Sequence, residues 1–129
     1  MNIKNKEILK NILYSVETGG QVYGQRRYDD FTEAGTNTPN EKSITIGAGQ
    51  WYGVEARELL KRIRDVAYNL FVVAESYGLS DDIDNADWNS YSIKKTSEKA
   101  VCIVKIISSD IGIIIHDKMM FEQIEKYEQ

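Results

Sequence analysis

Apolar positions along the chain follow a helical period in four stretches. Between residues 3 and 17, Ile8, Leu9, Ile12, Leu13 and Val16 recur at i, i+1, i+4, i+5 and i+8. That spacing predicts an amphipathic helix with one broad apolar stripe. Gly19 and Gly20 come next, and glycine stops helices because it enters the left-handed C-cap conformation without steric cost. Over residues 53–78 the period returns through Val54, Ala56, Leu59, Leu60, Ile63, Val66, Ala67, Leu70 and Phe71. Arg57, Glu58, Lys61, Arg62 and Arg64 fall on the opposite side, a solvated charged face. Gly78 is the expected stop. Residues 95–109 predict a further helix through Ala100, Val101, Val104 and Ile107, with Thr96 or Ser97 as N-cap. After Ser108-Ser109-Asp110 a last helix is expected to run to about Glu128, its apolar side made by Ile111, Ile114, Ile115, Met119 and Ile124.

The stretch between the first two helices is patterned differently. Tyr28 to Thr32 and Ser43 to Ile46 are expected to be two strands of a small antiparallel hairpin. Their connection, Glu33 to Asn40, carries Gly35, Asn37, Pro39 and Asn40, residues with turn chemistry. Gly47-Ala48-Gly49 then lets the backbone pass close to another surface or a ligand. It is not a phosphate loop, since no Lys-Ser/Thr follows and the spacing fits neither nucleotide motif. Ser80 to Asn89 is acidic and is expected to be a turn-rich loop. It lacks the glycine and closing glutamate of a calcium-binding EF-hand. The pattern predicts one mainly α domain spanning residues 1–129, with four or five helices and one small β-hairpin.

Composition changes this picture little. Apolar residues make up 42% and charged residues 28% of 129 residues, values of an ordinary globular protein long enough to bury a core. A net charge of −4 argues against a partner with a nucleic-acid backbone. Cys102 is the single cysteine. It lies in an apolar helical run, reads as a small buried hydrophobe, and leaves no disulfide within one chain. His116 is the single histidine. With no Ser, Cys or metal-ligand cluster at suggestive spacing, it reads as structural, which argues against a triad hydrolase or a zinc peptidase. Neither a signal peptide nor a transmembrane span is expected.

One acid stands out by position. Glu17 falls in the last turn of the first predicted helix, directly before Thr18-Gly19-Gly20. The negative pole of the helix dipole disfavours a charged carboxylate there, and partial desolvation would raise its pKa further. The polar hairpin that follows is rich in aromatic faces and short hydrogen-bonding side chains, the groups that bind sugars.

The stretch Ser15-Val16-Glu17-Thr18-Gly19-Gly20-Gln21-Val22-Tyr23-Gly24 resembles a motif of lysozyme-like glycosidase domains in endolysins and tail proteins of Gram-positive phages. Asn40 to Gly53, with Ile46-Gly47-Ala48-Gly49-Gln50-Trp51-Tyr52, is similar to the second motif of that group. Ala86-Asp87-Trp88, Lys94-Lys95-Thr96 and the stretch Met119 to Tyr127 extend the resemblance over nearly the whole chain. More distantly, the pair of motifs resembles lytic transglycosylases and goose-type lysozymes. Domains of this kind continue past the point corresponding to Gln129 into a third cleft segment. The resemblance therefore also implies that this chain lacks that wall, with an apolar groove or self-association through Leu70 to Val73 and the Ile111–Ile124 face in its place.

The resemblance implies a lysozyme-like fold and a peptidoglycan-degrading glycosidase that cleaves β-1,4 bonds of the bacterial cell wall. Glu17 would be the general acid, and Glu41 the second carboxylate, with Asp30 the next choice. Tyr28, Asp30, Gln50, Trp51 and Tyr52 would line the cleft. Peptidoglycan glycan strands are the implied partner. No cofactor, metal, nucleic acid or membrane insertion is expected, and delivery to the wall would be by a phage particle or a holin-type pore. Two alternatives stay open on the same residues. One is a lytic transglycosylase that needs Glu17 alone. The other is a non-catalytic glycan-binding or assembly module.

Overall fold

A computed structural model describes residues 27–128 of the chain. The predicted helix over 3–17, with Glu17 and the two glycines after it, lies outside the described residues. Within them the chain is mainly helical, with one small antiparallel sheet.

The sheet comprises β1 (Phe31–Thr32), β2 (Thr45–Ile46) and β3 (Trp51–Tyr52) in sequential order. Phe31 faces Ile46 and Thr32 faces Thr45, while Ile46 also faces Trp51 and Thr45 faces Tyr52. The expected pairing of the first two strands is present, over fewer residues. The third strand was not expected. Gly47–Gln50 folds back as a tight turn and lays the Trp51-Tyr52 pair along β2, so the hairpin becomes a meander. Phe31, Ile44, Ile46 and Trp51 bury one side of it.

Helix α1 (Val54–Val66) leaves the sheet directly through Gly53. Ala56, Leu59, Leu60 and Ile63 form its fully buried stripe, as their spacing predicts. The single helix expected over 53–78 is broken, however. At Ala67 the backbone leaves the helical region, with φ −135° and ψ 64°. A 3₁₀ turn, Tyr68–Phe71, and a short helix α2, Val72–Glu75, follow. No Gly or Pro marks the break. It places Phe71 fully inside the core while Val66, Val72 and Val73 face outward, so burial of one large aromatic overrides local helical phase.

Residues 80–89 correct a second expectation. Leu79–Asn85 is a helix, α3, rather than a loop. Leu79 and Ile83, four residues apart, are both fully buried. Asp81 and Asp82 occupy the first turn, where the dipole favours acids. From α1, Arg57 donates through Nε to the Ile83 carbonyl at 2.5 Å, and Arg64 pairs with Asp84 at 2.6 Å. The Arg64 guanidinium holds the Asp84 carboxyl below its ordinary range.

Helix α4 (Glu98–Ile107) begins at Ser97, whose Oγ accepts from the Ala100 amide at 3.2 Å. Replacing Ser97 by Ala is expected to cost about 0.5–2 kcal/mol through loss of this cap, read as a lower urea midpoint at unchanged slope. Cys102 is only partly buried, packed against the core, where desolvation raises its thiol pKa. Helix α5 (Asp110–Glu128) packs on α1 and α4. Ile115, Met119 and Ile124 of its expected apolar side are buried, but Ile114 is 63% exposed. That face is therefore largely covered by the domain's own core. No helix among the described residues is long and apolar enough to cross a membrane.

The segment 88–91 joins the helices to the sheet. Ser43 Oγ donates to the Trp88 carbonyl at 2.8 Å and accepts from the Tyr91 amide at 2.9 Å. The Ile44 amide donates to the Tyr91 carbonyl at 2.9 Å. Trp88 and Tyr91 stack with centroids 3.9 Å apart. The Tyr91 hydroxyl and Lys99 Nζ both donate to Asp82 Oδ2 at 2.6 Å, tying this segment to α3 and α4.

Candidate functional site at the glycine turn

The turn between β2 and β3 is buried and held from three directions. On one side the Gly47 amide donates to the Asp30 carbonyl at 2.9 Å. From below, the Gly49 amide donates to Nε2 of His116 on α5 at 2.8 Å. Across the turn, the Gln50 amide donates to the Gly47 carbonyl at 3.2 Å. A Cβ on Gly47 would stand 3.3 Å from the His116 ring. One on Gly49 would stand 2.8 Å from Met120 Cε and 3.0 Å from the Trp51 ring. The close backbone approach expected of Gly47-Ala48-Gly49 is thus real, and the surface approached is the chain's own α5.

Gln50 closes the turn in the left-handed region, with φ 53°, a conformation that costs a non-glycine residue on the order of 1–3 kcal/mol. Its side-chain amide is tied down by donating to Asp30 Oδ2 at 2.8 Å and to the Gly47 carbonyl at 3.2 Å. Tyr28, two residues before Asp30, donates its hydroxyl to Asp117 Oδ1 at 2.9 Å and sets its ring edge against His116, centroids 5.0 Å apart. Nδ1 of His116 lies 3.3 Å from the same Asp117 oxygen. Tyr28, Asp30 and Gln50, three residues expected at the site, therefore converge on one turn.

The other expected residues lie elsewhere. Trp51 is 4% exposed, edge-on to His116 at 5.9 Å, with its Nε1 buried and without a hydrogen-bond partner. It forms the floor of the turn and also borders the groove along α1 and α5. Tyr52 is 39% exposed. Its hydroxyl oxygen accepts from the Lys42 amide at 3.1 Å, at the end of the sheet away from the turn. Glu41 lies at that end too, and its Oε1 accepts from the Thr38 amide at 3.3 Å. The structure does not bring Glu41 to the Asp30–Gln50 pair. Glu17 falls outside the described residues.

Beside Trp51 a groove of about 420 Å³ opens along the seam of α1 and α5, lined by Glu55, Glu58, Arg62, Met119, Glu122 and Gln123 among others. Arg62 crosses the seam. Its Nη1 and Nη2 grip Glu122 at 2.7 and 3.1 Å, and its Nε holds Glu58 at 2.8 Å. These contacts raise the Arg62 pKa and lower that of Glu122. Among the described residues no group of three or more His, Cys, Asp or Glu side chains is placed to hold a metal.

Sequence reasoning assigned His116 a structural role, and the imidazole is indeed buried and hydrogen-bonded. Its place beneath the turn was missed, as was Asp117. The single histidine within an apolar helix was the available signal, but nothing local indicates its contact with Gly49, 67 residues away. Comparison of the chain with protein-family models, with curated proteins and with solved structures gives no match.

Proposed function

We propose that the chain is a peptidoglycan-degrading glycosidase of the lysozyme-like kind, cleaving β-1,4 glycan bonds by general acid catalysis. The observation that carries this reading is the lip formed by Gln50 and Asp30. A strained residue with its side-chain amide pinned to a carboxylate, on a turn anchored by buried groups, is what a polar binding edge needs in order to be rigid. Gln50, one half of the lip, falls within the second of the two stretches that resemble lysozyme-like domains. The other stretch supplies Glu17 as the acid that protonates the leaving oxygen.

Of the two carboxylates considered for the second role, Asp30 is favoured. It sits against Gln50, whereas Glu41 is engaged by its own turn at the far end of the sheet. In a hydrolase Asp30 would stabilise the oxocarbenium ion or activate water. Asp30→Asn is therefore expected to slow clearing of a cell-wall suspension by about 10²-fold or more, with Glu41→Gln within a few-fold of the parent. The reverse order would overturn the assignment of Asp30. Clearing by neither variant nor parent would remove the enzyme reading and leave a binding module.

A further inference from the structure

We propose that His116 is the positioning residue of this site: a neutral imidazole, fixed in one tautomer beneath the turn, that holds Gly49 and thereby aims the Gln50 side chain. The inference deepens the glycosidase reading and rests on it for the use made of Gln50. The hydrogen bonding itself stands apart from that reading.

The tautomer follows from the partners. Nε2 accepts a backbone N–H at 2.8 Å, so it carries a lone pair and no proton. The ring proton of the neutral imidazole is then on Nδ1, which faces Asp117 Oδ1. Asp117 Oδ1 in turn accepts from Tyr28, and the chain from Tyr28 reaches Asp30, whose carbonyl takes the Gly47 amide. Tyr28, Asp117, His116, Gly49, Gly47 and Asp30 thus close a ring of contacts around the turn. Gln50 is the residue whose backbone that ring forces to positive φ. The fit is tight, since both glycines lie where a Cβ would press on the imidazole, the indole or Met120. A core histidine serving only to fill space would not need a backbone donor from a turn so distant in sequence. Without the imidazole acceptor, the buried Gly49 amide would be left unpaired.

The test is nuclear magnetic resonance on the full chain labelled with ¹⁵N, using His116→Gln, which offers an acceptor oxygen near the Nε2 position, and His116→Leu, which offers none. In the parent, Nε2 is expected at the shift of an unprotonated ring nitrogen, coupled through the hydrogen bond to the Gly49 amide. The Gln50 side-chain amide protons should exchange about tenfold faster in His116→Leu, as loss of one hydrogen bond's worth of restraint implies, and should return close to the parent rate in His116→Gln. Wall clearing should follow the same order. A protonated Nε2 in the parent, or a Gln50 amide indifferent to both variants, would overturn the proposal. If His116→Leu does not fold, the parent coupling and the Gln variant still decide. A parent with the expected coupling and Gln50 exchange order but without glycan cleavage supports the positioning role and refutes the glycosidase reading alone.

Discussion

A wall suspension treated with the Glu17→Gln protein is expected to clear about 10²–10⁴-fold more slowly than with the parent, the usual range for removing a positioned acid–base group. The melting temperature should be nearly unchanged, because the amide is isosteric with the carboxyl it replaces. The expectation rests on the position of Glu17 at a predicted helix end before Gly19-Gly20. At such a helix end the dipole disfavours the charged carboxylate, and desolvation would add to that, favouring the protonated form that a general acid requires. Clearing by Glu17→Gln at the parent rate would remove Glu17 from the mechanism. A large fall in melting temperature would instead make Glu17 a structural residue.

Trp88→Ala is expected to have the largest effect on stability. The ring is buried, stacked on Tyr91, and its Nε1 donates to the Asp82 carbonyl at 2.8 Å. The loss should be about 3–5 kcal/mol, a large part of the roughly 5–15 kcal/mol that holds a domain folded. The damage would reach the site, because the Trp88 carbonyl anchors Ser43 at the start of the segment leading into β2. Tyr91→Phe is a milder control. It removes one hydrogen bond to Asp82 while Lys99 keeps its own, and about 0.5–1.5 kcal/mol is expected. Urea unfolding of both variants checks this. Equal losses would mean that the stacked pair is not what joins the sheet to the helices.

The elements legible in the sequence were those whose local signals agree with their packing. Helix α4 has a Ser97 cap and an acid in the first turn, and both describe the structure, while its buried stripe is Ala100, Ile103, Ile106 and Ile107, with the expected Val101 facing outward. Helix α5 was legible for similar reasons. The pairing of β1 with β2 could be read because turn-forming residues separate two strand-like runs. What was missed depended on distant partners. Helix α3 looks like an acidic loop until Arg57 and Arg64 reach it from α1. The break at Ala67 has no local mark and follows from burial of Phe71. Strand β3 is two residues long and exists because α5 supports the turn before it.

The candidate site divides along the same line. Gln50 and Asp30 were named from sequence, and the structure joins them by one hydrogen bond. For Trp51 the sequence leaves the role open, because an aromatic residue beside a polar turn serves equally well as floor or as wall. Here Gly49 has no side chain, so the indole packs directly beneath the backbone. His116 and Asp117 come from the far end of the chain, and only the fold brings them under the turn.

The central claim, that this chain cleaves glycan, is tested most directly by digesting purified peptidoglycan with the full chain and identifying the soluble products by mass spectrometry. A hydrolase is expected to release disaccharide-peptides with a new reducing end for each bond cut, and none with Glu17→Gln. Glycan that sediments with the protein but releases no soluble fragment would contradict the account.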